Sequence, residues 1–503
     1  MGDAQATAAL LGVEGLSVLP ASVHAAHEVA YGLVQTSEGR RLAVLGPADA
    51  ELLSELEGEA HDHGDDRLLL CPLSAPNAAL LRSRLPWLRP RPLGLRTSAG
   101  LGDRLGLATP GHVRAVRAAG GDLAPIFAQQ SIREMDRTGR NPQQVMDDAM
   151  WGVLAEGWQG AFGADADHLK TPHDVQVCVS AGYTFFTFDP GEHVDSVEER
   201  DSQSLREAFH ALPWERLADS PEALTKRYGG KRLEMEGHTV ELDEWAVLRA
   251  AVKYGRAVAH VAELYRHLER LMAGGEFEVE VSVDETESPT THAEHVYIAS
   301  ELRRLEVSWI SLAPRYIGRF EKGVDYIGDL AAFEADLAVH ATIARHLGPY
   351  KLSLHSGSDK FSIYEAAARQ TRGLVHLKTA GTSYLEALRT VAALDPGLFR
   401  AIYEFALGRY EVDRASYHVS ASVHRAPSPQ SVSDEALPSL LEQFDEREIL
   451  HVTFGSVLRA QREDGRPRFY EELMAILRGH PEAYAENLEA HFLRHLRPFA
   501  SAR

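Results

Sequence analysis

The stretch FEVEVSVDE, residues 277–285, decides how the chain is read. It alternates with period two: Glu278, Glu280, Ser282 and Asp284 share one face, Val279, Val281 and Val283 the other. In a closed parallel sheet the valines pack on outer helices and the acidic face points inside. Ionised carboxylates in such an interior are costly unless paired, hydrogen-bonded or bound to a metal. The strand therefore predicts a cationic partner opposite, as a metal or catalytic site or as a structural ion-pair network.

Working outward, seven more apolar segments read as strands: PLGLRTSAG (92–100), LAPIFAQQ (123–130), GAFGADADH (160–168), TFFTFDP (184–190), VSWISLAPR (307–315), KLSLHSG (351–357) and LVHLKTAG (374–381). Amphipathic helices alternate with them. Among these, WAVLRAAVKYGRAVAHVAELYRHLERLM (245–272) repeats Val247, Ala251, Val258, Val261, Tyr265 and Leu268 at helical spacing and ends at Gly274-Gly275. Eight β/α units are the number that closes a (β/α)8 TIM-type barrel in the α/β class; an open doubly wound sheet is the alternative. The expected organisation is an N-terminal α/β cap (1–90), a barrel (91–396) with an insertion around 191–275, and a C-terminal helical extension (397–503). The proline-punctuated LRSRLPWLRPRPLG (81–94) makes the first junction.

Composition narrows the function. At 503 residues the chain exceeds the roughly 100–200 residues of one domain. Its net charge of −21 disfavours nucleic acid as a partner. No run of about 18 apolar residues would span a membrane. Two cysteines make no disulfide framework, and the start lacks a basic signal region, so a cytoplasmic protein is expected. GLGDRLG (100–106) lacks the spacing of a dinucleotide loop, and no phosphate-binding P-loop or nucleophile elbow occurs.

Barrel chemistry sits on the loops after the strands, and polar residues fall there: Gln129, Asp165, Asp167, His168 and Lys170, Asp189, then Arg315, Arg319, Glu321 and Lys322, His355 to Lys360, and His376 with Lys378. Any lone strand-end Asp or His is more often a helix cap. The pair Asp167-His168 suits a proton-transferring carboxylate beside a metal-bound imidazole, with His355 as a second ligand. Glu321 ranks as third ligand ahead of His376, which sits deep in its strand. Lys360 and Arg315 could neutralise a substrate carboxylate or phosphate. The other histidines, His340 and His346 included, are expected to face solvent or to pack.

Seven segments together, GDRLGLATPGH (102–112), PIFAQQSIRE (125–134), GADADHLK (163–170), GYTFFTFDP (182–190), VDETESPT (283–290), HSGSDKFS (355–362) and HLKTAGTSYLEALR (376–389), resemble the tagaturonate epimerase family. The resemblance covers about residues 95–390. It implies a metal-dependent isomerase that inverts C4 of a ketohexuronate, or of a neutral ketohexose such as tagatose. It further implies Asp167 as proton acceptor, Glu280 (or Asp284) as donor, and His168 and His355 as ligands of a divalent ion such as Zn, Mn, Co or Ni. Gln129 joins Arg315 and Lys360 as a candidate substrate-binding residue. Because C4 is not acidified by the C2 ketone, retro-aldol cleavage and re-addition is the expected route. A class II-type aldolase or lyase and a non-catalytic sugar-binding barrel are the other readings, and a homo-oligomer is compatible with the sequence.

Overall fold

The computed structural model describes residues 2–13, 15–26, 28–37, 39–379 and 381–500. Its centre is a closed barrel of eight parallel strands in sequential order. They are β1 (Ser98–Gly100), β2 (Ala124–Ser131), β3 (Gly163–Leu169), β4 (Phe185–Phe188), β5 (Glu278–Ser282), β6 (Ser311–Ala313), β7 (Lys351–Leu354) and β8 (Val375–Lys378). All eight sequence segments supply one strand each. Ala380, near the end of the eighth segment, lies outside the described residues.

The period-two reading of 277–285 fixes which side chains enter the barrel. Val279 and Val281 are buried against the outer layer, while Glu278, Glu280 and Ser282 are buried on the other face. The three acids of the inward face are each accounted for. Glu278, at the bottom, accepts backbone N–H bonds from Leu93 (3.0 Å) and Gly94 and plugs that end of the barrel. Glu280 meets Lys378 and Asp284 meets His355.

Between β4 and β5 the insertion carries helices Ser202–His210 and Pro221–Tyr228, a hairpin Lys231–Met235/His238–Leu242, and the helix Glu244–Met272. The six apolar positions read from the sequence of that helix are all buried. Asp243 caps its start and Ala273 (φ 48°) ends it, immediately before Gly274 (φ 88°). Residues before the barrel form a six-stranded antiparallel sheet with helices Asp3–Leu11 and Ala75–Arg84.

The C-terminal helices lie on the barrel itself. Leu488 of Pro481–Ala500 packs so closely on Gly111 that a Cβ there would sit 2.4 Å from the Leu488 Cβ. Tyr484 donates its hydroxyl to the Ser383 carbonyl at 3.0 Å. The same hydrophobic cluster runs from the N-terminal sheet through the barrel to Phe499.

The interior claims more histidines than expected. His340 is fully buried, with Nδ1 2.8 Å from His295 Nδ1, and His295 in turn reaches Tyr350. His112, His376, His451, His491 and His495 are also buried, whereas His346 faces solvent. Neutral imidazole carries one donor and one acceptor, so it can satisfy two buried polar neighbours without charge.

Candidate active site

The barrel mouth gathers Asp165, Asp167 and His168 from β3, Asp189 after β4, Glu280 to Glu285 from β5 and its loop, His355 after β7, and Lys378 from β8. Adjacent residues of a strand point to opposite faces, so Asp167 and His168 should diverge. A β-bulge prevents this. The register with β4 shifts between Phe186 and Phe188, and His168 adopts φ 52° in the left-handed region. Both side chains therefore enter the mouth.

Ligand atoms of Asp167, His168 and His355 converge within 4.8 Å of one another. The two rings stand edge to face with centroids 5.1 Å apart. Each imidazole has one nitrogen on an outer carboxylate: His168 Nδ1 lies 3.2 Å from Asp189 Oδ2, and His355 Nδ1 lies 3.2 Å from Asp284 Oδ1. Ser282 adds a hydroxyl 3.3 Å from His355 Nδ1. The inner nitrogens face acids, His168 Nε2 at 3.8 Å from Asp167 Oδ1 and His355 Nε2 at 2.5 Å from Glu280 Oε1. A carboxylate behind each imidazole is the arrangement that orients metal-binding histidines.

Lys378 is the hub beneath. Its ammonium stands 2.6 Å from Asp167, 2.9 Å from Asp165 and 2.9 Å from Glu280, and it donates to Thr187 at 2.6 Å. Three carboxylates raise its pKa although burial works against them. The Asp167 carboxyl, penalised by burial, is held low by His168 and Lys378. Glu280 is likewise held low by Lys378 and His355, so at rest it is a carboxylate. Asp165, enclosed by burial and the charges of Asp167 and Glu280, is pushed up to about 7 despite Lys378. Both imidazoles are driven towards the cation. Burial lowers each, but Asp167 and Asp189 lift His168 to about 10, and Asp284 and Glu280 lift His355 to about 9.

The sequence-derived candidates divide. Asp167, Glu280, His168 and His355 come together. Gln129 joins them, donating to Asp167 Oδ2 at 3.0 Å with its own carbonyl unpartnered; Gly100 opposite leaves it room, since a Cβ there would sit 2.9 Å from Gln129 Cγ. Glu321 is not brought to the pair of imidazoles. Its carboxylate accepts from Ser420 N (2.9 Å) and Oγ (2.7 Å) and lies by Arg319 (3.2 Å), because the C-terminal segment crosses its loop. His376 sits one layer down, 2.9 Å from Ser98 Oγ. Lys360 is not open to a ligand: its ammonium donates to the carbonyls of Glu321 (2.7 Å), Val324 (2.5 Å) and Ser358 (3.0 Å). Arg315 is half-buried, its Nε without a hydrogen-bond partner.

Lys378 and Asp165 stand at strand ends in the sequence, without a role that strand-end position alone predicts. Their signal was phase: Asp165 with Asp167, and His376 with Lys378, share inward faces by period two. Among the described residues, two other groups of metal-capable side chains lie outside the barrel interior. His292, Asp336 and His340 sit on its outer helices, and Asp359 meets His491 and His495 of the last helix, where Arg447 pairs with Asp359 at 3.0 Å.

Comparison with known proteins agrees with this architecture. The profile of the tagaturonate epimerase family matches residues 19–499. The tagaturonate/fructuronate epimerase of Thermotoga maritima is 42% identical over 482 residues, 96% of each chain. Crystal structures of the fructuronate-tagaturonate epimerase from Cohnella laeviribosi, native and with one glycerol, superpose with a TM-score of 0.91 at 37% identity, covering 99% of both chains. The chain belongs to the tagaturonate epimerase family.

Proposed function

We propose that this epimerase interconverts tagaturonate and fructuronate by inverting C4, with a divalent cation at His168 and His355. The observation that carries the metal is the pair of imidazoles, each backed by a carboxylate and both pulled towards the cationic state. A buried field that holds two protons on neutral ligands is one a dication satisfies, releasing those protons as it binds. The orphaned Oε2 of Glu280 adds an unused acceptor beside them. The donor set thus fits Zn, Mn, Co or Ni without choosing among them. When bound, such an ion supplies Lewis-acid polarisation of the C2 carbonyl.

The chain's own residues handle the proton. Asp167 accepts it from the C4 hydroxyl as C3–C4 breaks, leaving an aldehyde at C4 and an enediolate across C2 and C3. Rotation about C4–C5 presents the other aldehyde face. As C3–C4 re-forms, the new C4 alkoxide takes a proton from Glu280. Lys378 lies between the two carboxylates, 2.6 Å from one and 2.9 Å from the other. Its ammonium can first hand a proton to Glu280, which then has one to give, and recover the proton that Asp167 has taken, closing the cycle with no net change. Gln129 keeps Asp167 aimed.

The test is turnover of tagaturonate against tagatose, followed by NMR, with metal analysis of the same sample. Fructuronate formation that follows metal content supports the reading. Cleavage to two released fragments would make the protein an aldolase, and turnover of tagatose alone would move the substrate to the neutral ketohexoses.

A further inference from the structure

Most cations of the mouth spend their charge on acids or carbonyls. Lys170 is paired with Glu192 (3.0 Å), Arg133 with Glu285 (3.1 Å) and Arg104 with Glu134 (2.7 Å). Lys378 serves three carboxylates and Lys360 three carbonyls. Lys322 is half-buried and donates to Ser356 Oγ at 2.5 Å; among the described residues no carboxylate forms an ion pair with it.

It bridges two loops of the mouth. Lys322 follows β6, yet Ser356 follows β7, next to His355. That hydrogen bond ties the Lys322 ammonium to the residue next to His355, at the mouth. The backbone beneath it is fixed on both sides. Lys360 holds the Glu321 and Val324 carbonyls, Arg447 Nε donates to the Gly323 carbonyl at 2.7 Å, and Ser420 holds the Glu321 carboxylate. An ammonium pre-positioned by its neighbours loses little freedom on binding an anion.

We infer that Lys322 is the residue that binds the C6 carboxylate of the substrate and so selects uronates over neutral ketohexoses. This rests on the proposed hexuronate reaction and assigns one end of that substrate. Lys360, the sequence candidate for the same task, instead buttresses the Lys322 loop. C6 takes no part in breaking or forming C3–C4, so the contact contributes to binding in ground and transition states alike.

The experiment compares wild type, Lys322→Gln, Lys322→Arg and Arg315→Gln with tagaturonate, recording kcat, KM and thermal midpoint. Lys322→Gln is expected to raise KM about 10- to 100-fold, the scale of a charge-assisted hydrogen bond, with kcat within about threefold and an unchanged midpoint. Lys322→Arg should recover most of the lost affinity. An unchanged KM in Lys322→Gln overturns the assignment, as does a KM loss confined to Arg315→Gln. A fall in kcat together with the midpoint overturns it too, because that marks a merely structural lysine. A wild type that leaves tagaturonate untouched refutes the hexuronate reading itself, whatever the variants do.

Discussion

Replacing Lys378 by Met strips the only ammonium from a fully buried triangle of Asp165, Asp167 and Glu280, whose oxygens lie 2.6 to 2.9 Å from it. Removing one partner of a buried ion pair costs about 3–5 kcal/mol, because the remaining charges are left uncompensated. At about 2.1 cal/mol/K per residue, a 503-residue chain has an unfolding entropy near 1 kcal/mol/K, so the midpoint falls by about 3–5 °C. The pH dependence has a definite sign. Asp165 is already raised to about 7 by burial and its acidic neighbours, so the proton it retains stabilises the fold at low pH, and that contribution is lost as pH rises through 7. Without Lys378 the three carboxyls rise further, so the deficit of Lys378→Met is largest near pH 8 and shrinks towards pH 5. Turnover falls by about 10²–10⁴, the range of a lost proton-transfer group. Calorimetry at pH 5 and pH 8 with steady-state rates measures both effects. A variant with kcat within threefold of wild type, or a midpoint deficit independent of pH, refutes the role of Lys378 as the charge and proton hub.

Three further outcomes follow from neighbouring geometry. His168→Ala should lose both bound metal and activity, whereas Asp167→Asn should keep metal and lose turnover; metal analysis beside rates separates them. Glu278→Ala strands the Leu93 and Gly94 N–H groups and should cost about 1–3 kcal/mol in denaturant unfolding while kcat stays near wild type, because Glu278 closes the far end of the barrel. The Glu448 carboxyl, buried beside Glu321, is raised to about 8; its contribution to stability is present below its unfolded value and lost as pH rises through 8. Glu448→Gln should therefore flatten the loss of thermal stability between pH 6 and pH 9.

The architecture was legible because period two is a local property. Residues 277–285 alternate in sequence as they do in the barrel, and HLK (376–378) carries its inward pair the same way. The centre was partly legible: Asp167, His168, His355 and Glu280 were singled out and do meet. The bulge that turns His168 inward was not, because a left-handed φ at a histidine leaves no trace in composition. Glu321 and Lys360 show the second limit. A strand-end position says which loop a side chain is on, not which way it turns, and here residues a hundred positions later decide. Ser420 takes the Glu321 carboxylate and Arg447 the Gly323 carbonyl. Asp103, another strand-end acid, is neither ligand nor helix cap: it organises its own loop by accepting the N–H groups of Leu105, Gly106 and Ala108 at 2.7 to 2.9 Å. The histidines were underestimated as interior groups, since tertiary packing alone supplies the partners that let His295 and His340 be buried. Among the described residues no helix is long and apolar enough to cross a membrane.

The most direct measurement is the conversion of tagaturonate in D2O, followed by NMR on metal-loaded and chelator-stripped enzyme. C4 inversion through C3–C4 cleavage predicts fructuronate with protium retained at C4, a rate that vanishes on stripping and returns with a divalent ion, and a fold that survives both treatments. Deuterium at C4, or full turnover by the stripped protein, would contradict it.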